Sequence, residues 1–195
     1  IGAFFVDLFN EPVLPSSNSA GNADAGISAL LDRGQRRLLA RERRSPEIDA
    51  ALLQTLAQVN WQMERNAMAR SLFEEAAAVK RGIGDNDSLA LTLASIARLD
   101  ALSGATEASA VLAREAEELL VPNGRYEGRT RYLALTELAA YYVITFSFAA
   151  TDRTLDEAIR VGTARYGAKS PELFRAKRLQ LTSLQYRLLV DDSLV

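Results

Sequence analysis

The chain has 195 residues, and its 23 Lys and Arg against 25 Asp and Glu leave a net charge of −2, so no global field draws it to nucleic acid or to an anionic membrane. It contains no Cys and no His. That excludes disulfides, thiolate nucleophiles, Ser-His-Asp and Cys-His catalysis, His-ligated zinc and imidazole proton shuttling, and it suits either redox compartment. A composition of 48% hydrophobic and 25% charged residues is ordinary for a globular chain long enough to bury one core.

The chain opens Ile1-Gly2-Ala3 without Met, which reads as a piece of a longer protein. Phe4, Phe5, Val6, Leu8 and Phe9 form an apolar helix end expected to pack on the body of the domain or to continue into an upstream segment. Pro12, Pro15, Ser16, Ser17, Gly21 and Asn22 then mark a loop, so residues 1–24 are taken as an N-terminal apolar segment and loop, and 25–195 as the repeat domain. Residues 25–43 read as a helix with Ile27, Leu30, Leu31 and Leu38 on one side and Arg33, Arg36, Arg37 and Arg41 on the other. That basic run fits a solvated face paired to local carboxylates more simply than a surface for an acidic partner or lipid phosphate. Ser45-Pro46-Glu47 starts the next helix: Ser caps free N–H groups, Pro suits the first turn, and Glu faces the positive helix end. The same triplet recurs as Ser170-Pro171-Glu172.

Between the two triplets the pattern repeats. Leu53, Leu56 and Ala57 return as Leu93, Ile96 and Ala97, then as Leu135, Leu138 and Ala139. Ala69, Phe73 and Ala76 return as Ser109, Ala113 and Ala116, then as Thr151, Leu155 and Ala158. The step is 40 residues from Ala57 to Ala97 and 42 from Ala97 to Ala139, the mark of a helical repeat array. The predicted pairs occupy 46–80, 88–120 and 128–165, with a terminal helix at 171–190. In the third pair the helices are expected at 128–149 and 153–165, with Asp152 as a cap. Gly82-Ile83-Gly84 follows a helix rather than a strand and is not a phosphate loop. No strand signal appears, and the longest apolar run, Leu138 to Ala150, falls short of the roughly 20 residues that cross a bilayer. The expected fold class is all-α, a right-handed superhelical solenoid of helix pairs.

Leu-Ala in the first helix, then Ala, Phe and Ala spaced four and three apart in the second, resembles a tetratricopeptide repeat; HEAT-like repeats share the period but not the Ala positions. The longer step, with Arg165-Tyr166-Gly167-Ala168-Lys169-Ser170-Pro171-Glu172 as linker, is similar to the kinesin-light-chain-like variant. Asn60 and Asp100 depart from the usual aromatic, which survives as Tyr142. A second resemblance lies in an ordered set: Phe4 to Phe9, Leu31-Asp32-Arg33-Gly34, Pro46-Glu47, Leu52 to Val59 and Leu72 to Ala76. It resembles the segment after the membrane helix in bacterial serine/threonine kinases with tetratricopeptide sensor regions. The resemblance implies a non-catalytic, periplasmic (extracytoplasmic) sensor on the outer side of the inner membrane, attached through an upstream transmembrane helix. Its partners would be a protein or peptide ligand, or a second copy in a homodimer, with no nucleic acid and no cofactor. No kinase motif lies in this chain, so no catalytic or metal-binding residue is assigned. The alternative is a cytoplasmic tetratricopeptide scaffold or the regulatory region of a transcription factor.

In such arrays the first helix of each pair lines the concave face. The resemblance therefore points to a ligand groove at Gln54, Gln58, Trp61, Gln62, Arg98, Leu102 and Thr136. Trp61, the single Trp, would be an anchor there or would pack on the preceding helix. The Lys, Asn and Arg clamp of co-chaperone repeats is missing, because its positions hold Gln54, Gln58, Ser95, Leu133 and Glu137. Glu115, Glu117 and Glu118 have no companion base and read as a solvated face.

Overall fold

The computed structural model describes residues 45–121 and 128–192, together with Asp32. The apolar N-terminal segment, its loop and the Arg-rich helix expected at 25–43 lie, apart from Asp32, outside the described residues. Residues from Ser45 onward form one compact unit. It contains α1 (Pro46–Gln62), α2 (Asn66–Ile83), α3 (Asn86–Leu102), α4 (Thr106–Leu119), α5 (Arg129–Ile144), α6 (Phe148–Tyr166), a 3-10 turn (Pro171–Leu173) and α7 (Phe174–Asp192). The fold is all-α, with no strand among the described residues.

The helix starts follow the sequence signals. The Ser45 hydroxyl accepts from the N–H of Ile48 at 3.4 Å, with Pro46 in the first turn and Glu47 behind it. A separate side-chain hydrogen bond with Ser45 lowers the pKa of the Glu47 carboxyl. Asp85 caps α3 by accepting from the N–H of Ser88 at 3.2 Å. At Ser170-Pro171-Glu172 the same device opens the 3-10 turn that leads into α7.

The pairs α1–α2, α3–α4 and α5–α6 close through one recurring turn. The N–H groups of Glu64, Gly104 and Phe146 bond back to the carbonyls of Trp61, Ala101 and Val143 at 2.9, 3.1 and 3.2 Å. Those of Arg65, Ala105 and Ser147 bond to Asn60, Asp100 and Tyr142, each at 2.9 Å. This is the Schellman arrangement, which requires a left-handed residue after the helix. Glu64, Gly104 and Phe146 supply it with φ of 60°, 85° and 55°. The three turns fall at the 40- and 42-residue steps read from the alanines.

The third turn corrects a predicted boundary. The helix expected over 128–149 is divided: α5 ends at Ile144 and α6 begins at Phe148. A Phe occupies the left-handed position that normally signals itself by Gly, so composition conceals the break. Asp152, expected as a cap, lies inside α6.

Small residues form the seams. Ala57, Ala69 and Ala76 are fully buried, as are Ala97, Ser109 and Ala116, and Ala139, Thr151 and Ala158. The core nevertheless divides in two. One cluster joins α1 and α2 (Leu53, Ala57, Ala69, Leu72, Phe73, Ala76) and reaches α3 only at Ile96 and Leu99. A larger cluster runs from Ala77 and Leu89 through α3, α4, α5 and α6 to Leu173 and Ala176. The first pair meets the second mainly through α2 and α3, whereas the second meets the third through α3 and α5. The backbones of α1 and α3 are therefore at most marginally in contact, and long side chains span the interval.

Candidate ligand groove

One side chain from each of α1, α3, α5 and α7 enters a single row. Trp61 near the end of α1 packs its ring edge-on to Phe73, with centroids 6.1 Å apart. The Arg98 guanidinium from α3 sits over the Trp61 ring, 4.2 Å from its centre, within cation–π range. Arg98 Nε lies 2.9 Å from Glu137 Oε1 of α5. Those two atoms are too misaligned for a hydrogen bond, so charge rather than a directed bond holds them. The other Glu137 oxygen accepts from Arg175 Nη2 of α7. Glu137 is only 3% exposed, so two guanidinium groups compensate a carboxylate with almost no access to water. Burial lowers the Arg98 pKa, and Glu137 opposes that shift. An arginine still remains charged at neutral pH. The row thus carries one net positive charge beside the half-buried Trp61.

A second polar group lies between the first and second pairs. Lys80, near the end of α2, is 4% exposed. Its ammonium donates to Gln54 Oε1 at 2.8 Å and to Thr92 Oγ1 at 2.7 Å. Thr92 Oγ1 is in turn 2.6 Å from Gln54 Oε1 and 2.9 Å from the Ser88 carbonyl oxygen, and its single proton serves one of them. Burial pushes the Lys80 pKa down to about 8, with Asp85 opposing the shift.

The predicted groove residues therefore separate. Trp61 and Arg98 come into direct contact. Gln58 is half-buried, and Gln62 and Leu102 are exposed, Leu102 by 63%. Gln54 turns into the Lys80 network. Thr136 is fully buried, its hydroxyl donating to the Tyr132 carbonyl at 2.7 Å, and it offers nothing to a ligand. The residue type explains that placement: a helical Thr bonds back to the carbonyl four residues earlier.

Sequence reasoning assigned no role to Lys80 or Arg175 and named Glu137 only as a missing clamp position. Lys80 stands in the last turn of α2, where a cation normally complements the helix dipole in solvent, so nothing local marks it as interior. Glu137 sits in the apolar stretch Tyr132 to Val143, and a lone carboxylate there signals a buried partner. A separate shallow cavity of about 310 Å³ lies at the start of α6, walled by Phe148, Ala149, Asp152 and Arg187. The Arg187–Asp152 ion pair at 2.6 Å closes one side of it.

Compared with known proteins, the chain matches no family model and no curated protein.

Proposed function

We propose that the domain is a non-catalytic binding module, a tetratricopeptide-like solenoid that holds a protein or peptide ligand along the side carrying Trp61, Arg98 and Arg175. One observation carries this reading. Three helix pairs closed by the same turn at steps of 40 and 42 residues present a continuous row from the first helix of each pair, extended by α7. Such a row suits an extended ligand, because each repeat adds one contact at a fixed spacing. Trp and Arg are the side chains that dominate binding hot spots, and the positive balance favours a ligand with acidic groups.

The ordered resemblance over residues 4–80 supports a parent protein: a bacterial serine/threonine kinase spanning the membrane, with this domain as its extracytoplasmic sensor. Among the described residues no helix is long and apolar enough to cross a membrane, so on this reading the anchor lies outside them.

Two experiments test the reading separately. Alkaline phosphatase, active only outside the cytoplasm, is fused after Val195 in the natural protein; an inactive fusion in cells that make the protein refutes the extracytoplasmic placement. A random peptide library is selected on the purified chain. Acidic binders that lose at least about tenfold in affinity to Trp61→Ala, an ordinary hot-spot loss, support the groove. Binders indifferent to Trp61→Ala and to Arg175→Ala refute it.

A further inference from the structure

Glu137 holds two guanidinium groups at once, with Arg98 against Oε1 at 2.9 Å and Arg175 on Oε2. Two cations on the two oxygens of one carboxylate stand no more than about 10 Å apart, and a single further group can meet both. Burial lowers the Arg98 pKa most, Glu137 opposes that shift, and the charge of Arg175 adds to the lowering. The cations thus repel each other across a carboxylate that neutralises only one of them.

Most of their donors are unused. Arg98 makes no hydrogen bond among the described residues, and of its nitrogens only Nε is shut away from solvent. Both Nη groups therefore reach the surface, on a side chain that is 23% exposed. Arg175 commits Nη2 to Glu137. Its Nε and Nη1 have no partner among the described residues and are not buried, the side chain being 39% exposed. The Trp61 ring beneath Arg98 fixes the plane of that guanidinium, so less freedom is lost when a ligand binds it.

We propose that Arg98 and Arg175 form a subsite for a single carboxylate of the ligand, bound across both guanidinium groups on the side away from Glu137. The inference rests on the binding-module reading and gives that ligand its anchoring chemistry. Glu137 already shows the pair to be spaced for one carboxylate. A second one completes a square in which charge alternates: Arg98, Glu137, Arg175 and the ligand. Charge then selects the class of acid. With Glu137 in place the pair keeps one net positive charge, which a monoanion cancels. A phosphomonoester carries about −1.5 to −2 at pH 7 and would leave excess negative charge beside a buried carboxylate. The cost of taking an ion out of water rises with the square of its charge, whereas its attraction to the site rises only in proportion.

The full chain is titrated at constant ionic strength with N-acetylglutamate amide, whose only carboxylate is on the side chain, and with N-acetylglutamine, whose only carboxylate is terminal. N-acetylglutamine amide is the neutral control, and methyl phosphate is the dianion. Two-dimensional amide NMR reads binding, and Trp61, the single Trp, gives one indole signal beside the site. At least one acid shifts that signal and the amides around Arg98 and Arg175, saturating with a dissociation constant on the order of 1–10 mM, ordinary for so small a fragment. The tighter of the two acids identifies the source, an acidic side chain or a chain end. Arg175→Gln weakens its binding at least about tenfold. Arg98→Lys keeps the charge beside Glu137 but loses the paired donors, and it weakens binding as well. Arg178→Gln removes an exposed arginine one turn along α7 and leaves binding unchanged within about twofold. No saturable shift with either acid, methyl phosphate bound as tightly as the better acid, or equal losses in Arg175→Gln and Arg178→Gln overturns the proposal. Library peptides that need Trp61 but tolerate Arg175→Gln overturn it too, while leaving the binding module standing.

Discussion

Replacing Lys80 with Met should make the protein more stable at neutral pH, although it deletes two hydrogen bonds. Burial lowers the Lys80 pKa from the ordinary 10.5 to about 8. The unfolded chain therefore holds the proton between pH 8 and 10.5 while the folded protein releases it, so stability rises with pH across that window. Below pH 8 both states are charged, and the folded state carries the whole desolvation cost, about 3 kcal/mol at 1.36 kcal/mol per pH unit. In Lys80→Met the Thr92 hydroxyl still donates to Gln54 Oε1, so no buried donor is orphaned. The lost hydrogen bonds return part of the gain, leaving the variant about 1–2 kcal/mol more stable at pH 7. The assay is urea unfolding followed by circular dichroism at pH 7.0, 8.0, 9.0 and 9.5, in parent and variant. Over that range the parent should gain about 2 kcal/mol relative to the variant. Measurement stops at 9.5 because burial raises the pKa of Tyr132 and Tyr142, whose ionisation above that pH destabilises the fold. A stability difference that does not change with pH, or a variant weaker at pH 7, would refute the assignment of Lys80 as a buried, costly cation.

Gly162→Ala should lower stability by roughly 1–3 kcal/mol, as overpacking does, and lower the thermal midpoint accordingly. An added Cβ would lie 2.5 Å from Leu173 Cδ2 and 2.9 Å from the Tyr132 ring, and an unchanged midpoint would mean that both side chains withdraw without cost. Glu64→Gly should raise the urea midpoint by about 1 kcal/mol of stability, because Glu64 is exposed at φ 60° and Gly meets that conformation without strain. Glu137→Gln should cost about 2–3 kcal/mol in the same assay, since Arg98 and Arg175 would both lose their counter-charge; a neutral result would mean that water screens them fully.

The fold was legible where one residue type has one use. Alanines at 57, 97 and 139 gave the period, because close helix approach admits little else, and Ser-Pro-Glu gave two helix starts. Boundaries failed where an unusual residue met a demand set elsewhere. Phe146 takes a left-handed turn position because the whole hairpin requires that turn, and a Phe gives no local sign of it. The row of Trp61, Arg98, Glu137 and Arg175 was half legible. Trp61 and Arg98 were named separately, and their contact depends on how far α1 stands from α3, a distance that no spacing within one helix encodes. Trp61 was weighed between groove and core, and it does both: its edge packs on Phe73, and its face receives Arg98. Asn60 explains the inward share, because it fills the aromatic position with a small amide bonded to the Leu56 carbonyl at 2.8 Å and leaves Phe73 to be covered by another ring.

The divided core gives the row a mechanical meaning. Apolar clusters hold α1 to α2 and α3 to α5, and only Ile96 and Leu99 carry the first cluster onto α3. The interval between α1 and α3 is bridged besides by two polar links, Trp61 to Arg98 and Gln54 to Thr92 and Lys80, while α2 packs directly on α3. Polar and cation–π contacts exchange with water or ligand at little net cost, whereas separating packed apolar faces costs about 25 cal/mol for each Å² exposed. Of the two joints between helix pairs, the first is the less packed, because α1 and α3 lack the direct packing that α3 and α5 have. On the proposed reading, a ligand that takes over the Arg98 contact removes one of the links across that joint. Binding and shape would then be coupled through one residue, and the coupling is limited to the difference in affinity between the two spacings.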